Sequence, residues 1–246
     1  MQKKALIYAD KGSAQHSVNL TIKALKDFGI STQPVFAQDI IEKKWEKDTV
    51  LFIMPGGRDI FFHTLLSGKG NNKIRQFVKN GGFYLGLCAG AYYGCESIEF
   101  EKGSSLEITG KRELGFFPNK ATGPALGNGL FQYNSEIGAQ AALIHYSSKN
   151  ITAQAYLYYN GGCTFENPKE HKHINILGHF NDKKMAAILE INFGKGKAIL
   201  SGVHLEYSHE HLDQKNIHLK KIIPLFKKTE HFRKKILADV ISKFFP

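Results

Sequence analysis

The segment that most constrains the fold of this chain is the apolar run Phe83–Leu87, which leads directly into the turn sequence Gly86-Leu87-Cys88-Ala89-Gly90. A short run of this composition is typical of a buried strand in a parallel sheet. The pattern G-x-C-x-G directly after such a strand is the cysteine form of a nucleophile elbow, in which glycines relieve crowding around a sharply turned residue. The pattern predicts an α/β fold with Cys88 on a turn from strand to helix.

The amino-terminal half alternates between predicted strands and helices. Ala5–Ala9 and Thr32–Phe36 flank a helical pattern, and Thr49–Met54 is another buried-strand run. The chain returns to a core strand at Lys197–Gly202. Parallel strands joined by helices form a sheet that is covered on both faces. We therefore expect a central, mostly parallel sheet with helices on both sides.

The pattern changes over about residues 99–194, where short alternating segments are separated by Gly, Asn and Pro. Such segments are typical of antiparallel strands, so we expect a β-rich insertion that closes over one end of the sheet. A helical tail is predicted over about residues 216–246. Because we find no linker or internal repeat, we expect one domain over residues 1–246.

The composition bounds the class of protein. The net charge is +11, but the lysines are spread over helix faces without interleaved aromatic residues, so we expect no specific nucleic-acid partner. No apolar run approaches the roughly 20 residues that span a bilayer, and the amino terminus lacks a signal-peptide pattern. The three cysteines, Cys88, Cys95 and Cys163, follow no disulfide pattern. These features predict a cytoplasmic protein without a membrane partner.

A nucleophilic thiol needs a base, and His204 is the histidine that follows the strand Lys197–Gly202. Glu206 comes two residues later, so in an extended segment its carboxylate lies on the same side and can orient the imidazole. Backbone N–H groups after Cys88 would favour the thiolate and hold an oxyanion. We expect the catalytic residues to be Cys88, His204 and Glu206. The alternative is that Cys88 is a small buried apolar residue.

The second oxyanion donor is expected from the loop Pro55-Gly56-Gly57, because ligands of open α/β sheets bind beyond the carboxyl ends of the strands. Arg58 comes next; it could bind a substrate carboxylate or pin the loop through Asp59, and the sequence favours neither role. The expected oxyanion and substrate-binding residues are Gly56, Gly57, Arg58, Ala89, Tyr92, Tyr93 and Asn160, with Tyr158 and Tyr159 as further candidates. The alternative for the tyrosines is core packing, which is the commoner role of a tyrosine pair in an alternating strand. No zinc-ligand spacing is present, so we expect neither metal nor cofactor.

Longer segments of the chain resemble the N-terminal domain family of biotin-protein ligases, a branch of the class I glutamine amidotransferase-like superfamily. The resemblance extends from about residue 4 to about residue 210 and rests on PGGRD, IRQFVKNGGFYLGLCAGAYYG, GKRELGFFPNKATGP, YNSEIGAQA, YYNGG and GKGKAILSGVHLE. It implies a flavodoxin-like α/β sandwich. It also places the cysteine and the His-x-Glu of the family at Cys88, His204 and Glu206, and the glycine loop at Gly56 and Gly57.

Two departures limit what the resemblance implies. Glutaminases of the superfamily usually have an elbow reading like G-x-C-x-G-x-Q, whereas Ala91 and Tyr92 follow Gly90 here, so glutamine is not implied as the substrate. Nothing resembles a synthetase domain or the adenylate loop of the ligase, so biotin ligation is not implied either.

We expect a cysteine hydrolase that acts on an amide or related C–N bond of a small, amino-acid-like substrate. A separate synthetase or ligase could be its partner. The alternative is a non-catalytic module that binds a metabolite or regulates a partner and retains the fold and the triad.

Overall fold

The computed structural model of the chain describes residues 4–127, 129–181 and 184–245. The strands in this part of the chain are β1 (Lys4–Tyr8), β2 (Thr32–Val35), β3 (Thr49–Met54), β4 (Phe83–Leu87), β5 (Cys95–Phe100), β6 (Ile108–Lys111), β7 (Phe117–Gly123), β8 (Gln140–Ser147), β9 (Thr152–Tyr159), β10 (Thr164–Phe165), β11 (Ile174–Phe180), β12 (Ala186–Phe193) and β13 (Gly196–Ser201). The α-helices are α1 (Gln15–Lys26), α2 (Ala37–Glu42), α3 (Asp59–Leu66), α4 (Lys69–Lys79), α5 (Ala89–Tyr93), α6 (Ile217–Lys220) and α7 (Ile223–Ser242).

The centre of the structure is a nine-stranded sheet with the order β2-β1-β3-β4-β13-β12-β11-β8-β9. The strands from β2 to β13 in this order pair in parallel. All five strands predicted for this region are confirmed to within one residue at either end. Their carboxyl ends lie at one edge of the sheet, so the segments after β3, β4 and β13 come together there.

The predicted β-rich insertion is divided between two sheets. β8, β9, β11 and β12 continue the nine-stranded sheet with antiparallel pairing, while β10, β7, β5 and β6 form a separate four-stranded sheet in that order. β5 begins at Cys95 rather than near residue 99, and its pairing with β7 is parallel. The insertion therefore extends the sheet as well as adding a second one, because β12 pairs along the free edge of β13.

Alternate residues of the central strands face two apolar clusters, one on each side of the sheet. Phe52 and Tyr84 pack in a cluster with Trp45 and Phe77. The side chains that point to the other face of the sheet, such as those of Ile53 and Leu85, pack in the second cluster with Val18 of α1 and with Ile236 and Val240 of α7. Each fully buried side chain of this size contributes about 1.5–3 kcal/mol relative to an exposed one. This packing holds α1 and α7 on one face of the sheet.

Among the residues that the structure describes, none of the helices combines the length and apolar composition that a membrane crossing requires.

Candidate active site

Cys88 occupies a strained turn between β4 and α5. Its backbone has φ 51° and ψ −105°, a positive φ that residues other than glycine rarely adopt. A Cβ added at Gly86 would lie 2.3 Å from the carbonyl oxygen of Gly90, and one added at Gly90 would lie 2.0 Å from that of Met54. The two glycines therefore allow the close approach that forms the turn, and Cys88 is held at the carboxyl edge of the sheet.

His204 and Glu206 follow β13 and form a buried pair. The Nδ1 atom of His204 lies 2.7 Å from Oε1 of Glu206, and the two side chains are 6% and 2% exposed. Cys88 and His204 line the same cleft, and the neighbouring thiol is one of the groups that raise the pKa of the imidazole. Because Nδ1 faces Glu206, Nε2 is the ring nitrogen left for the thiol. The structure thus brings together the three residues that the sequence predicted as a triad.

The charge state of His204 depends on its two neighbours. Burial alone lowers the pKa of His204, because the imidazolium loses hydration. The Glu206 carboxylate, with its hydrogen bond to Nδ1, and the neighbouring Cys88 outweigh burial and raise the pKa to about 10. The raised pKa favours the imidazolium form of His204, which can donate a proton from Nε2.

Ser17, which the sequence analysis did not single out, connects Glu206 to the glycine loop. Its hydroxyl donates to Oε1 of Glu206 at 2.8 Å and accepts from the N–H of Gly56 at 3.1 Å. Ser17 lies on α1 and is completely buried. A polar residue beside the apolar stripe of α1 was the only signal in the sequence, and many surface helices share it.

Two backbone N–H groups beside Cys88 are available as oxyanion donors. The N–H of Arg58 donates to Gly12 and that of Gly90 donates to Pro55, at 2.8 and 3.2 Å. By contrast, neither the Gly57 N–H nor the Ala89 N–H has a hydrogen-bond acceptor among the described residues. Two such donors from adjacent loops are the arrangement that stabilises a tetrahedral oxyanion.

Steric crowding explains why both positions in the loop after β3, Gly56 and Gly57, are glycines. A Cβ at Gly56 would lie 2.6 Å from Cε1 of His204, so glycine lets the imidazole pack against the loop. Gly57 has φ 146°, and a Cβ there would lie 1.9 Å from the carbonyl oxygen of Gly12. The loop therefore accepts no larger residue at either position without moving.

Two adjoining cavities meet at Cys88. The inner cavity, of about 40 Å³, has space for little more than a water molecule, and the outer cleft measures about 430 Å³. Predicted site residues that line at least one of them are Gly57, Arg58, Cys88, Ala89, Tyr92, Tyr158, Asn160 and His204. The outer cleft has the size of a small-molecule site.

Tyr92 and Asn160 form part of the cavity wall near the thiol. The hydroxyl of Tyr92 donates to the carbonyl of Gly161 at 3.1 Å, which fixes its ring against the inner cavity. The backbone carbonyl of Asn160 accepts from the Cys88 thiol at 3.8 Å, and the side-chain amide of Asn160 donates to Ser135. Asn160 therefore contacts the thiol through its backbone.

Tyr93 and Tyr159, in contrast, belong to the core. The Tyr93 hydroxyl donates to Asn71 at 2.6 Å, and that of Tyr159 donates to Gly162 at 3.0 Å. Neither residue lines the inner cavity or the outer cleft. The structure therefore corrects the expectation that Tyr93 contributes to substrate binding, because successive helical residues point about 100° apart and Tyr92 already faces the cavity.

Arg58 does not pin its loop through Asp59. Oδ2 of Asp59 lies 2.7 Å from Nε of Arg112, and both of these side chains are buried. The guanidinium of Arg58 instead lies 3.8 Å from the ring centroid of Tyr133 and 5.2 Å from that of Phe61. The sequence left open whether Arg58 pins its loop through Asp59 or binds a substrate carboxylate, and the structure contradicts the first of these roles.

The outer cleft contains aromatic and acidic residues that the sequence analysis had not assigned to it, namely Phe61, Phe131, Tyr133, Glu136 and Tyr207. The ring of Tyr207 stacks on Tyr158 at 4.3 Å and lies 4.7 Å from the imidazole of His204. The hydroxyl of Tyr158 donates to the carboxylate of Glu136. The segment YNSEIGAQA carried part of the resemblance to the ligase family and was the signal that could have identified Tyr133 and Glu136.

The other two cysteines, Cys95 and Cys163, are completely buried. Burial raises the pKa of the Cys95 and Cys163 thiols well above the ordinary value. The Cys95 thiol donates to the carbonyl of Ala91 at 3.2 Å. No group of three metal-binding side chains occurs among the described residues. Cys88 differs from Cys95 and Cys163 in that it lines the same cleft as His204.

Sequence comparisons connect the chain to biotin-protein ligases. The family described as "Biotin-protein ligase, N terminal" matches residues 3–245. A protein of Chlamydia muridarum (strain MoPn / Nigg), named only as uncharacterized, is 36% identical over 214 residues, which cover 84% of this chain and 82% of that protein. A biotin–protein ligase of Schizosaccharomyces pombe is 33% identical over 216 residues, or 83% of this chain. Those residues cover 33% of the yeast protein, so this chain corresponds to about a third of that ligase.

Structural comparisons identify the fold. A glutamine amidotransferase from Thermotoga maritima has a TM-score of 0.59 at 12% identity and covers 99% of this chain and 98% of its own. The PurLQS structure from Thermotoga maritima has a TM-score of 0.56 at 13% identity, and the match covers 91% of this chain and 98% of that chain. At these identities the likeness shows the fold alone. It confirms the predicted class I glutamine amidotransferase-like α/β sandwich.

Proposed function

The chain belongs to the family of biotin-protein ligase N-terminal domains, and from that premise we propose that it is a cysteine hydrolase that cleaves an amide or related C–N bond. The observation that carries the proposal is that Cys88 and His204 line one cleft, with the His204 ring held by Glu206 at 2.7 Å. A thiol, an imidazole and a carboxylate in this order are the components of nucleophilic acyl transfer.

In the first half of the reaction, the Cys88 thiolate attacks the carbonyl carbon of the substrate. A bond forms between Sγ and that carbon, and the carbonyl electrons move to the oxygen, where the N–H groups of Gly57 and Ala89 stabilise the charge. The His204 imidazolium then gives its Nε2 proton to the nitrogen as the C–N bond breaks. The amine or ammonia leaves, and the acyl group remains as a thioester on Cys88.

In the second half, His204 is neutral and takes a proton from water. The resulting hydroxide attacks the thioester carbon, the oxyanion again faces Gly57 and Ala89, and the C–S bond breaks to release a carboxylic acid. The thiolate and the imidazolium are thereby restored. Glu206 keeps Nδ1 protonated through both halves and offsets the charge of the imidazolium.

The wall of the inner cavity favours a substrate other than glutamine. Tyr92 occupies the position at which glutaminases of the superfamily have a glutamine, and its hydroxyl is held by Gly161. The remaining space of about 40 Å³ is too small for a side chain. The substrate therefore enters through the outer cleft of about 430 Å³, which suits a small molecule. A ligase-type protein is the proposed partner, since a similar segment forms part of the yeast ligase.

A regulatory module without turnover is the second candidate. The observation in its favour is the same small inner cavity, which limits the space beside the Ala89 N–H. In this case the outer cleft would bind a metabolite, and the triad would hold the glycine loop in place through Ser17. The two candidates differ in whether an acyl group can be transferred to Cys88.

An activated acyl donor tests this difference without knowledge of the natural substrate. Mixing the protein with p-nitrophenyl acetate should release a burst of about one p-nitrophenolate per chain, with the acetyl group on Cys88 by mass spectrometry. The Cys88→Ser variant should lose the burst, while Cys95→Ala should retain it. A wild-type protein that shows no acetylation of Cys88 would overturn the hydrolase proposal in favour of the regulatory module.

A further inference from the structure

Among the described residues, Arg58 differs from the other arginines in that neither a carboxylate nor a carbonyl accepts a hydrogen bond from it. The sequence has four arginines: Arg58, Arg75, Arg112 and Arg233. Arg112 pairs with Asp59, and Arg233 pairs with Glu230. Arg75 donates to the carbonyl of Leu114. Among the described residues, no carboxylate and no carbonyl accepts a hydrogen bond from Arg58, and its buried Nε has no acceptor.

The surroundings of Arg58 hold its side chain in place. The guanidinium lies 3.8 Å from the ring centroid of Tyr133 and 5.2 Å from that of Phe61. Stacking on an aromatic face orients the plane of a guanidinium and leaves its N–H edge available for hydrogen bonds. Arg58 is half-buried and is therefore preorganised for a planar anion.

The position of Arg58 connects it to the thiol. Arg58 and Cys88 line both the inner cavity and the outer cleft, so a ligand in the cleft can contact both residues. The acidic side chains nearby are already engaged, since Asp59 pairs with Arg112 and Glu136 accepts from Tyr158. The part of the chain that the structure describes thus supplies no ion-pair partner for this guanidinium.

We propose that Arg58 binds a carboxylate of the substrate, so that the substrate class is a small amide that also has a free carboxylate. This inference rests on the proposed hydrolase function. A partly buried cation without a partner is costly, and two parallel hydrogen bonds to a carboxylate remove that cost. The bound carboxylate would place the scissile carbonyl of the same molecule near Cys88, which makes Arg58 a specificity-determining residue.

The charge preference of Cys88 towards small alkylating reagents tests the proposal. Iodoacetate and iodoacetamide react with a thiolate in the same way: a bond forms between Sγ and the methylene carbon, and iodide leaves. Only iodoacetate has a carboxylate. The measured quantity is the rate constant of Cys88 with iodoacetate divided by its rate constant with iodoacetamide, both obtained by mass spectrometry. This ratio is then divided by the same ratio measured for glutathione. A change in the thiolate fraction cancels in this ratio, because it affects both reagents equally.

In the wild-type protein the normalised ratio should exceed one, and Arg58→Gln should lower it about ten-fold, the usual worth of a charged hydrogen bond. Arg58→Lys should retain only part of the preference, because an ammonium cannot form the bidentate contact. The control is Lys11→Gln, which removes a cation that also lies over the Phe61 ring, at 4.8 Å, but lines neither cavity. A ratio that Arg58→Gln leaves unchanged would overturn the carboxylate inference.

A second measurement keeps the two proposals separate. If Cys88 reacts with iodoacetamide no faster than Cys95 and Cys163, the hydrolase function fails, whatever Arg58 binds. The carboxylate site is then tested by NMR, with the Nε–H resonance of Arg58 assigned through Arg58→Gln. Glutarate should shift this resonance with saturation, whereas the uncharged glutaramide should not. Equal shifts with both compounds, or no shift with glutarate, would contradict the inference.

Discussion

Ser17 and Glu206 lie 189 residues apart in the chain, and a hydrogen bond of 2.8 Å joins the Ser17 hydroxyl to the Glu206 carboxylate. The same hydroxyl accepts from the N–H of Gly56. One buried side chain therefore joins the acidic residue beside His204 to the glycine loop that carries the proposed oxyanion donor Gly57. Ser17 is a positioning residue, and its removal should affect both parts.

Replacing Ser17 with alanine should reduce stability and disturb the triad. The buried Glu206 oxygen and the Gly56 N–H each lose a partner, so the free energy of unfolding should fall by about 1–3 kcal/mol. Urea denaturation measures this change. The control is Thr64→Ala, whose exposed hydroxyl bonds only to Ile60 within its own helix, and it should cost about 0.5 kcal/mol or less.

A purely structural role for Ser17 would leave the reactivity of the folded protein intact. If Ser17 instead positions Glu206, the pH dependence of Cys88 alkylation should change in Ser17→Ala, because Glu206 no longer holds His204 in the same geometry. Thr64→Ala should follow the wild-type profile. A Ser17→Ala protein with the wild-type pH profile would show that Ser17 contributes to stability alone.

Replacing Glu206 with glutamine should lower the pKa of His204. The carboxylate is the strongest influence that opposes burial in raising this pKa to about 10, and glutamine retains a hydrogen bond without the charge. The Cε1–H resonance of His204, followed by NMR as a function of pH, measures the titration. An unchanged His204 titration would contradict the assigned role of Glu206.

The same pKa shift predicts how stability depends on pH. The pKa of His204 is raised from 6.5 to about 10 in the folded protein, so folding is coupled to proton uptake between these values. The stabilising contribution is complete below about pH 6.5 and is lost as the pH rises through about 10. The wild-type protein should therefore lose its stability advantage over His204→Asn between pH 6.5 and 10, as measured by urea unfolding. A constant difference across this range would contradict the shift.

Gly57→Ala should disrupt the loop that carries the proposed oxyanion donor. The Cβ would lie 1.9 Å from the Gly12 carbonyl at a φ of 146°, so the loop must move and its free N–H with it. Acylation by p-nitrophenyl acetate should slow about 100-fold, the usual effect of losing one oxyanion donor. Gly81→Ala is the matched control, since φ is 113° but the nearest atom is 3.9 Å away. Equal rates in the two variants would argue against a role for the Gly57 N–H.

The parts of the site that could be predicted from sequence depend on short segments. The elbow at Cys88 and the His204–Glu206 pair follow from the strands that precede them, because the carboxyl ends of parallel strands meet at one edge of the sheet. The family could also be predicted, since the resembling segments extend over most of the chain. These features can be predicted from a short segment and the residues next to it, without knowledge of contacts between distant parts of the chain.

The remaining features depend on contacts between distant segments. The partner of Asp59 is Arg112, 53 residues away, so the sequence order Arg58-Asp59 was misleading. The choice between Tyr92 and Tyr93 depends on which side of α5 faces the cavity. The division of the β-rich insertion into two sheets depends on the free edge of β13, since alternation of apolar residues predicts a strand without specifying its neighbour.

The central claim is that His204 activates Cys88, and the rate of Cys88 alkylation by iodoacetamide at pH 7 tests it most directly. Mass spectrometry compares Cys88 with the buried Cys95 and Cys163 in the same wild-type sample and in His204→Ala. We predict that Cys88 reacts at least about ten-fold faster than the other two and that His204→Ala removes this advantage. A Cys88 that reacts no faster than Cys95 and Cys163, and that is indifferent to His204→Ala, would contradict the account.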